Sequence, residues 1–99
     1  DSTIALQSDF ADAYYNKGIA YLNMAVISHE MSCKDTKDPQ YAIDREKTLD
    51  YYRRARPCME MVRRLQPEKT ERWASPLYRI YLNLNMGQQF EEIDRLMRR

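Results

Sequence analysis

The apolar positions of this chain recur at helical spacing from one end to the other. The clearest stretch is Tyr51 to Pro67, in which Tyr51, Ala55, Cys58, Met59, Val62 and Leu65 fall at three- and four-residue steps on one side of a 3.6-residue helix. Arg53, Arg54, Arg56, Glu60, Arg63 and Arg64 occupy most of the remainder. Pro57 interrupts this stretch; it has no N–H and crowds the preceding turn, which predicts a kink or an upstream break in the helix. The other segments make sense as partners for this apolar stripe.

In chain order, Asp1 to Asp9 is short and poorly patterned, and is expected to be an entry segment, with Asp9 as the N-cap of the first long helix. That helix, over 10–32, carries two apolar stripes. One runs through Tyr14, Gly18, Tyr21 and Ala25 into Ala20, Met24, Ile27 and Met31, and the other through Tyr15, Ile19, Leu22 and Val26. Together they make an arc wider than a single partner helix needs, so this helix packs between two neighbours or lines a groove. Gly18 costs about 1 kcal/mol relative to Ala in mid-helix, which a close-packed partner side chain would justify. Cys33 to Gln40 is a charged break, with Asp38-Pro39 as the start signal for a helix over 39–66. A third helix is expected over 70–85, kinked or restarted at Ser75-Pro76. Met86-Gly87-Gln88 is read as a turn before a last helix over 89–98, which packs through Phe90, Ile93, Leu96 and Met97.

Composition agrees with this pattern. Two glycines and few β-branched residues favour an all-α protein, here one domain spanning residues 1–99. A chain that begins with Asp1 and carries no signal peptide is expected to be a piece of a longer protein. The longest apolar run, Gly18 to Ser28, is too short to cross a bilayer. The net charge of +1 hides an asymmetry: residues 1–50 hold nine acids and five bases, residues 51–99 six acids and eleven bases. Two halves folded against one another would neutralise much of that difference. Arg53, Arg54, Arg56, Arg63 and Arg64 are the candidate basic patch for a polyanion or an acidic partner, but a near-neutral domain lacks the footprint of nucleic-acid binding. The bland alternative for these arginines is a solvated face paired with Glu60 and with acids of the first half.

Cys33 and Cys58 have no metal or redox spacing. In an antiparallel hairpin they stand on the order of 20 Å apart, beyond disulfide reach, and they are expected to be thiols. His29 and Cys33 share a helix face at i and i+4, yet no third or fourth ligand accompanies them, so no metal and no cofactor are expected. With one His, no glycine-rich phosphate loop and no nucleophile–base pair, the chain is not expected to be an enzyme.

Antiparallel helices joined by short turns suggest an array of hairpins, and particular residues resemble the tetratricopeptide repeat. Tyr14, Gly18 and Tyr21 stand at the Trp, Gly and Tyr positions of that motif, with Lys17 where Leu is usual. Ala55, Met59, Val62 and Pro67 reproduce its second-helix spacing, and Leu77 and Tyr81 resemble the Leu and Tyr of a following repeat, with Tyr78 in place of Gly and Trp73 one residue early. The chain departs from the family in length: Tyr21 and Ala55 are 34 positions apart, about 25 more than the motif has. The resemblance covers residues 11–97 and looks like one expanded repeat followed by a degenerate capping repeat, a fragment of a right-handed α–α superhelix.

The resemblance implies a scaffold that holds a protein or peptide partner in a groove lined by first helices. Transferred by position, the groove residues are Asp12, Tyr15, Asn16, Ile19, Leu22 and Asn23, with Arg72, Arg79 and Asn83 as contributors from the third helix. The basic clamp of carboxylate-binding members is not reproduced. Val26 completes the stripe Tyr15, Ile19, Leu22, Val26, whose alternatives are an exposed groove, a self-association surface, or packing against a neighbouring helix. A second class of function, glycan capture of the kind found in nutrient-binding proteins of bacterial surfaces, requires tyrosines or Trp73 exposed together in one cleft. A lean toward the bacterial cell envelope comes from the resemblance alone.

Overall fold

A computed structural model describes the backbone of residues 2–98 and the side chains of residues 8–98. The protein is all-α, with no strand among the described residues: α1 is Ser2–Met31, α2 Pro39–Leu65, α3 Thr70–Asn83 and α4 Gly87–Met97. Each helix packs antiparallel on the next, α1 on α2, α2 on α3 and α3 on α4, and α1 also reaches α3. The result is a flat, elongated array of 56 × 27 × 15 Å. Its radius of gyration of 15.3 Å exceeds the roughly 13 Å of a compact domain of this length. The excess comes from the long α1–α2 hairpin, which outruns α3 and α4.

The core is continuous across all four helices. Leu22 and Ala25 of α1, Tyr52, Ala55, Met59 and Val62 of α2, Trp73, Leu77, Ile80 and Tyr81 of α3, and Ile93 of α4 form one buried cluster. Gly18 marks the closest approach of α1 to α2: a Cβ built there would lie 2.6 Å from Met59 Cε and 3.2 Å from Cys58 Cβ. The expected reason for a mid-helix glycine is therefore met. Toward the loop at residues 32–38 the core stops. Among the described residues between Val26 and Tyr51 only the polar Thr48 is buried, and that half of the hairpin is joined by polar contacts. Ser28 Oγ and Thr48 Oγ1 lie 2.9 Å apart. The Cys33 N–H donates to Asp44 Oδ2 at 2.9 Å. That bond, followed by one from the Gln40 side chain, holds the Asp44 carboxyl below the usual carboxylate range.

Several boundaries differ from expectation. α1 is helical from Ser2, so Asp9 lies within the helix and does not cap it; no Gly or Pro between Ser2 and Asp9 would stop the helix from extending. α2 runs unbroken through Pro57, which is exposed, while Ala55, Met59 and Val62 hold the helix to the core on both sides. α3 likewise passes through Pro76, a buried residue, without restarting. Asp38 caps α2 as expected, accepting from the Gln40 N–H at 2.9 Å with Pro39 at the first helical position.

The α3–α4 turn is made by Asn85 rather than by Gly87. Asn85 has φ 58°, the Met86 N–H donates to Tyr81 O at 2.9 Å, and the Asn85 N–H donates to Leu82 O at 3.3 Å, which is a Schellman closure with Asn in the left-handed position. Gly87 opens α4 at negative φ with open space around it. Asn85→Gly is therefore expected to raise stability by a few tenths to about 1 kcal/mol, and Gly87→Ala by about 0.5–1 kcal/mol, in urea denaturation. A loss at Gly87→Ala would show that glycine is needed in this turn after all.

Candidate interaction surface

The groove residues taken from the resemblance divide between exposed and packed positions. Leu22 belongs to the core at 3% exposure, and Tyr15 and Ile19 are half-buried against it. Asp12, Asn16, Asn23 and Val26 are exposed. α3 covers the N-terminal end of the stripe. Arg72 lies over the Tyr15 ring at 4.5 Å, and its NH1 donates to Asp12 Oδ1 at 2.7 Å and to Gln66 Oε1 at 2.8 Å. One arginine thus ties the first helix, the end of the second and the start of the third. The side of α1 that faces α3 is a junction between hairpins, with only Asn16, Asn23 and Val26 left open beside it.

The arginine row of α2 is largely neutralised in place. Arg53 pairs with Glu46 at 2.7 Å, Arg54 with Asp50 at 2.9 Å and Arg56 with Glu60 at 3.3 Å, and Arg63 pairs with Glu92 of α4. Of the five, only Arg64 has no carboxylate within ion-pair distance among the described residues. The row is solvated and mostly paired, and leaves little free positive charge for a polyanion. Glu60 also accepts from the Tyr81 hydroxyl at 2.7 Å. Burial first, and this bond second, push the Tyr81 phenol well above its ordinary range.

Trp73 is withdrawn from any cleft. It is 2% exposed, its Nε1–H donates to the Gln66 carbonyl at 3.1 Å, and the Arg63 guanidinium lies 4.9 Å from its ring. Of the tyrosines, Tyr52 and Tyr81 are in the core, and Tyr78 stacks on Phe90 with centroids 4.7 Å apart. Cys33 and Cys58 are free thiols, the first half-buried and the second buried. Among the described residues no three His, Cys, Asp or Glu side chains converge as a metal site would require, and no helix is long and apolar enough to cross a membrane.

The open apolar surface lies on the opposite side of the long hairpin from α3. There Met24, Ile27 and Met31 of α1 and Ile43 of α2 line one shallow groove of about 980 Å³, edged by Asp44, Glu46, Lys47, Asp50, Arg53 and Arg54. These four apolar side chains are 44%, 48%, 81% and 52% exposed. Phe10 and Tyr14 continue the same flank of α1 at 55% and 36%. The local sequence explains the arrangement. Positions 10, 14, 17, 21, 24, 28 and 31 repeat at alternating four- and three-residue steps, one position before the core stripe of Ala11, Tyr15, Gly18, Leu22 and Ala25. α1 therefore presents two adjacent seams, one filled by α2 and one open. The excess width of its apolar arc was visible in the sequence; which half would stay open was not. Ile43, on the edge of the charged run Asp44 to Lys47, was the overlooked signal on α2.

The fold and this surface define a class and nothing narrower: an all-α protein of antiparallel hairpins with one unpartnered seam. No protein-family model matches the chain, and neither a curated protein nor a solved structure matches it.

Proposed function

We propose that this chain is a non-enzymatic helical-repeat scaffold, similar in plan to tetratricopeptide repeats, that holds a protein partner on the open face of its long hairpin. The observation that carries the reading is the groove of Met24, Ile27, Met31 and Ile43, four large apolar side chains left exposed together on one face, as at a partner-binding surface. The order of the helices, the contact of Gly18 with Met59 and the burial of Ala55, Val62, Leu77 and Tyr81 are what a repeat of this kind would need, and so support the plan. The scaffold differs from the expected one in its working face. The side of α1 toward α3 is occupied by the Arg72 junction, so the partner sits on the other flank. Glycan capture gains no support from a buried Trp73, nor polyanion binding from a paired arginine row.

The test compares two kinds of charge insertion. Met24→Asp combined with Ile27→Asp is expected to leave helicity intact and change stability by less than about 1 kcal/mol, as at a surface. In dilute solution the native chain is expected to bind an apolar fluorescent dye, and this double variant to lose that binding. Leu22→Asp, which places a charge in the core, is expected to unfold the chain. If Met24→Asp with Ile27→Asp also unfolds it, the face is core and the reading fails.

A further inference from the structure

One register brings two copies of the open face together without setting like charges opposite one another. Ser28 lies level with Thr48 and Gly18 with Cys58, so α1 and α2 run in strict opposition along the groove. Consider a two-fold axis lying in the plane of the face and crossing the hairpin between Ile27 and Ser28 on α1 and between Thr48 and Leu49 on α2. Rotation about it lays α1 antiparallel on α1 of a second copy, and α2 on α2. Met24 then falls opposite Met31 of the other copy, with Ile27 beside the axis. On the second helix Lys47 falls opposite Asp50, and Asp44 opposite Arg53. The remaining charged residues of the edge meet uncharged ones: Glu46 faces Tyr51, and Arg54 faces Ile43. Every one of these residues lines the groove, and no like-charged pair arises among them. A parallel stacking would instead set the apolar row of α1 on the charged row of α2.

We propose that this face is a self-association surface on which two copies of the chain dock antiparallel about that axis. The proposal rests on the scaffold reading above and names its partner. Lys47 makes no ion pair among the described residues and is free to cross the interface, while Asp50 exchanges its exposed partner Arg54 for Lys47 of the second copy. An isologous contact requires a self-complementary patch, and this charge register supplies one.

Sedimentation equilibrium on the whole chain tests this. The native protein is expected to show a monomer–dimer equilibrium. Lys47→Asp and Asp50→Lys, each of which sets two like charges face to face, are expected to weaken it by about 100-fold while circular dichroism stays native. An equimolar mixture of the two variants is expected to restore a one-to-one dimer, because each supplies the charge that the other now needs. A native chain that stays monomeric up to about 100 μM, yet still binds the apolar dye, overturns self-association and leaves the face to a different partner. A dimer that neither variant weakens assembles elsewhere and also overturns it. If both variants dissociate but their mixture does not recover, the antiparallel register is wrong.

Discussion

Trp73→Ala is expected to cost about 3–5 kcal/mol, a large share of the roughly 5–15 kcal/mol typical of a domain of this size. Trp73 is the wedge between the two hairpins. It is buried under the C-terminus of α2, its indole N–H is bonded to Gln66 O at 3.1 Å, and Arg63 covers its ring. The Gln66 carbonyl also accepts the Lys69 N–H at 3.0 Å, so it is not orphaned when the indole goes. Most of the loss is therefore packing. Trp73→Phe, which keeps much of the volume and gives up one hydrogen bond, is expected to cost about 1–2 kcal/mol. Urea denaturation followed by far-ultraviolet circular dichroism measures both, since Trp73 is the sole tryptophan and its fluorescence is lost with it. A change below about 1 kcal/mol in Trp73→Ala would mean that the hairpins are not coupled through this side chain.

The second large effect is a reversal of sign at the α1–α2 contact. Met59→Ala removes a fully buried side chain and is expected to cost about 2–5 kcal/mol. Gly18→Ala brings a methyl to 2.6 Å from Met59 Cε and 3.2 Å from Cys58 Cβ. The helix gains about 1 kcal/mol from the loss of glycine, but Met59 has no exposed space to retreat into, and overpacking costs about 1–3 kcal/mol. The single variant is expected to be destabilised. In the Met59→Ala background the nearest obstacle is gone, so the same substitution is expected to stabilise by up to about 1 kcal/mol. Four chemical denaturation curves complete the cycle, and additivity of the two substitutions would refute the contact.

The four helices were legible because periodicity and punctuation agreed. Asp38-Pro39 marked a start that the structure keeps, and Ala55, Met59 and Val62 fell where their spacing put them. The prolines each offered a kink or a break, and it is the break that fails: both helices continue through Pro57 and Pro76, held by the buried residues around them, over nearly the ranges expected. The last turn did mislead. Glycine is the usual left-handed residue, and here Asn85 takes that conformation ahead of Gly87. The candidate surface was half legible. Two apolar stripes on α1 were evident, but Tyr15 is covered by Arg72, 57 positions along the chain, and local pattern holds no trace of such a contact. The arginine row raised the opposite difficulty: its charges were plain, and their partners at Glu46, Asp50 and Glu60 were near enough in sequence to be foreseen.

The distal half of the α1–α2 hairpin has polar fastenings where the proximal half has a core. Ser28 to Thr48 and Cys33 to Asp44 join two helices there, where the described residues of the buried apolar core do not extend. Its opening free energy is accordingly expected to be a fraction of that for the whole chain, with amides of the loop end exchanging faster than those of Ala55 to Val62. The apolar seam lies on that same half. A molecule that settles on it supplies apolar cover there, so occupancy and local order are linked quantities: the seam is firm only while it is filled, and part of the binding energy is spent on closing the end of its own receptor.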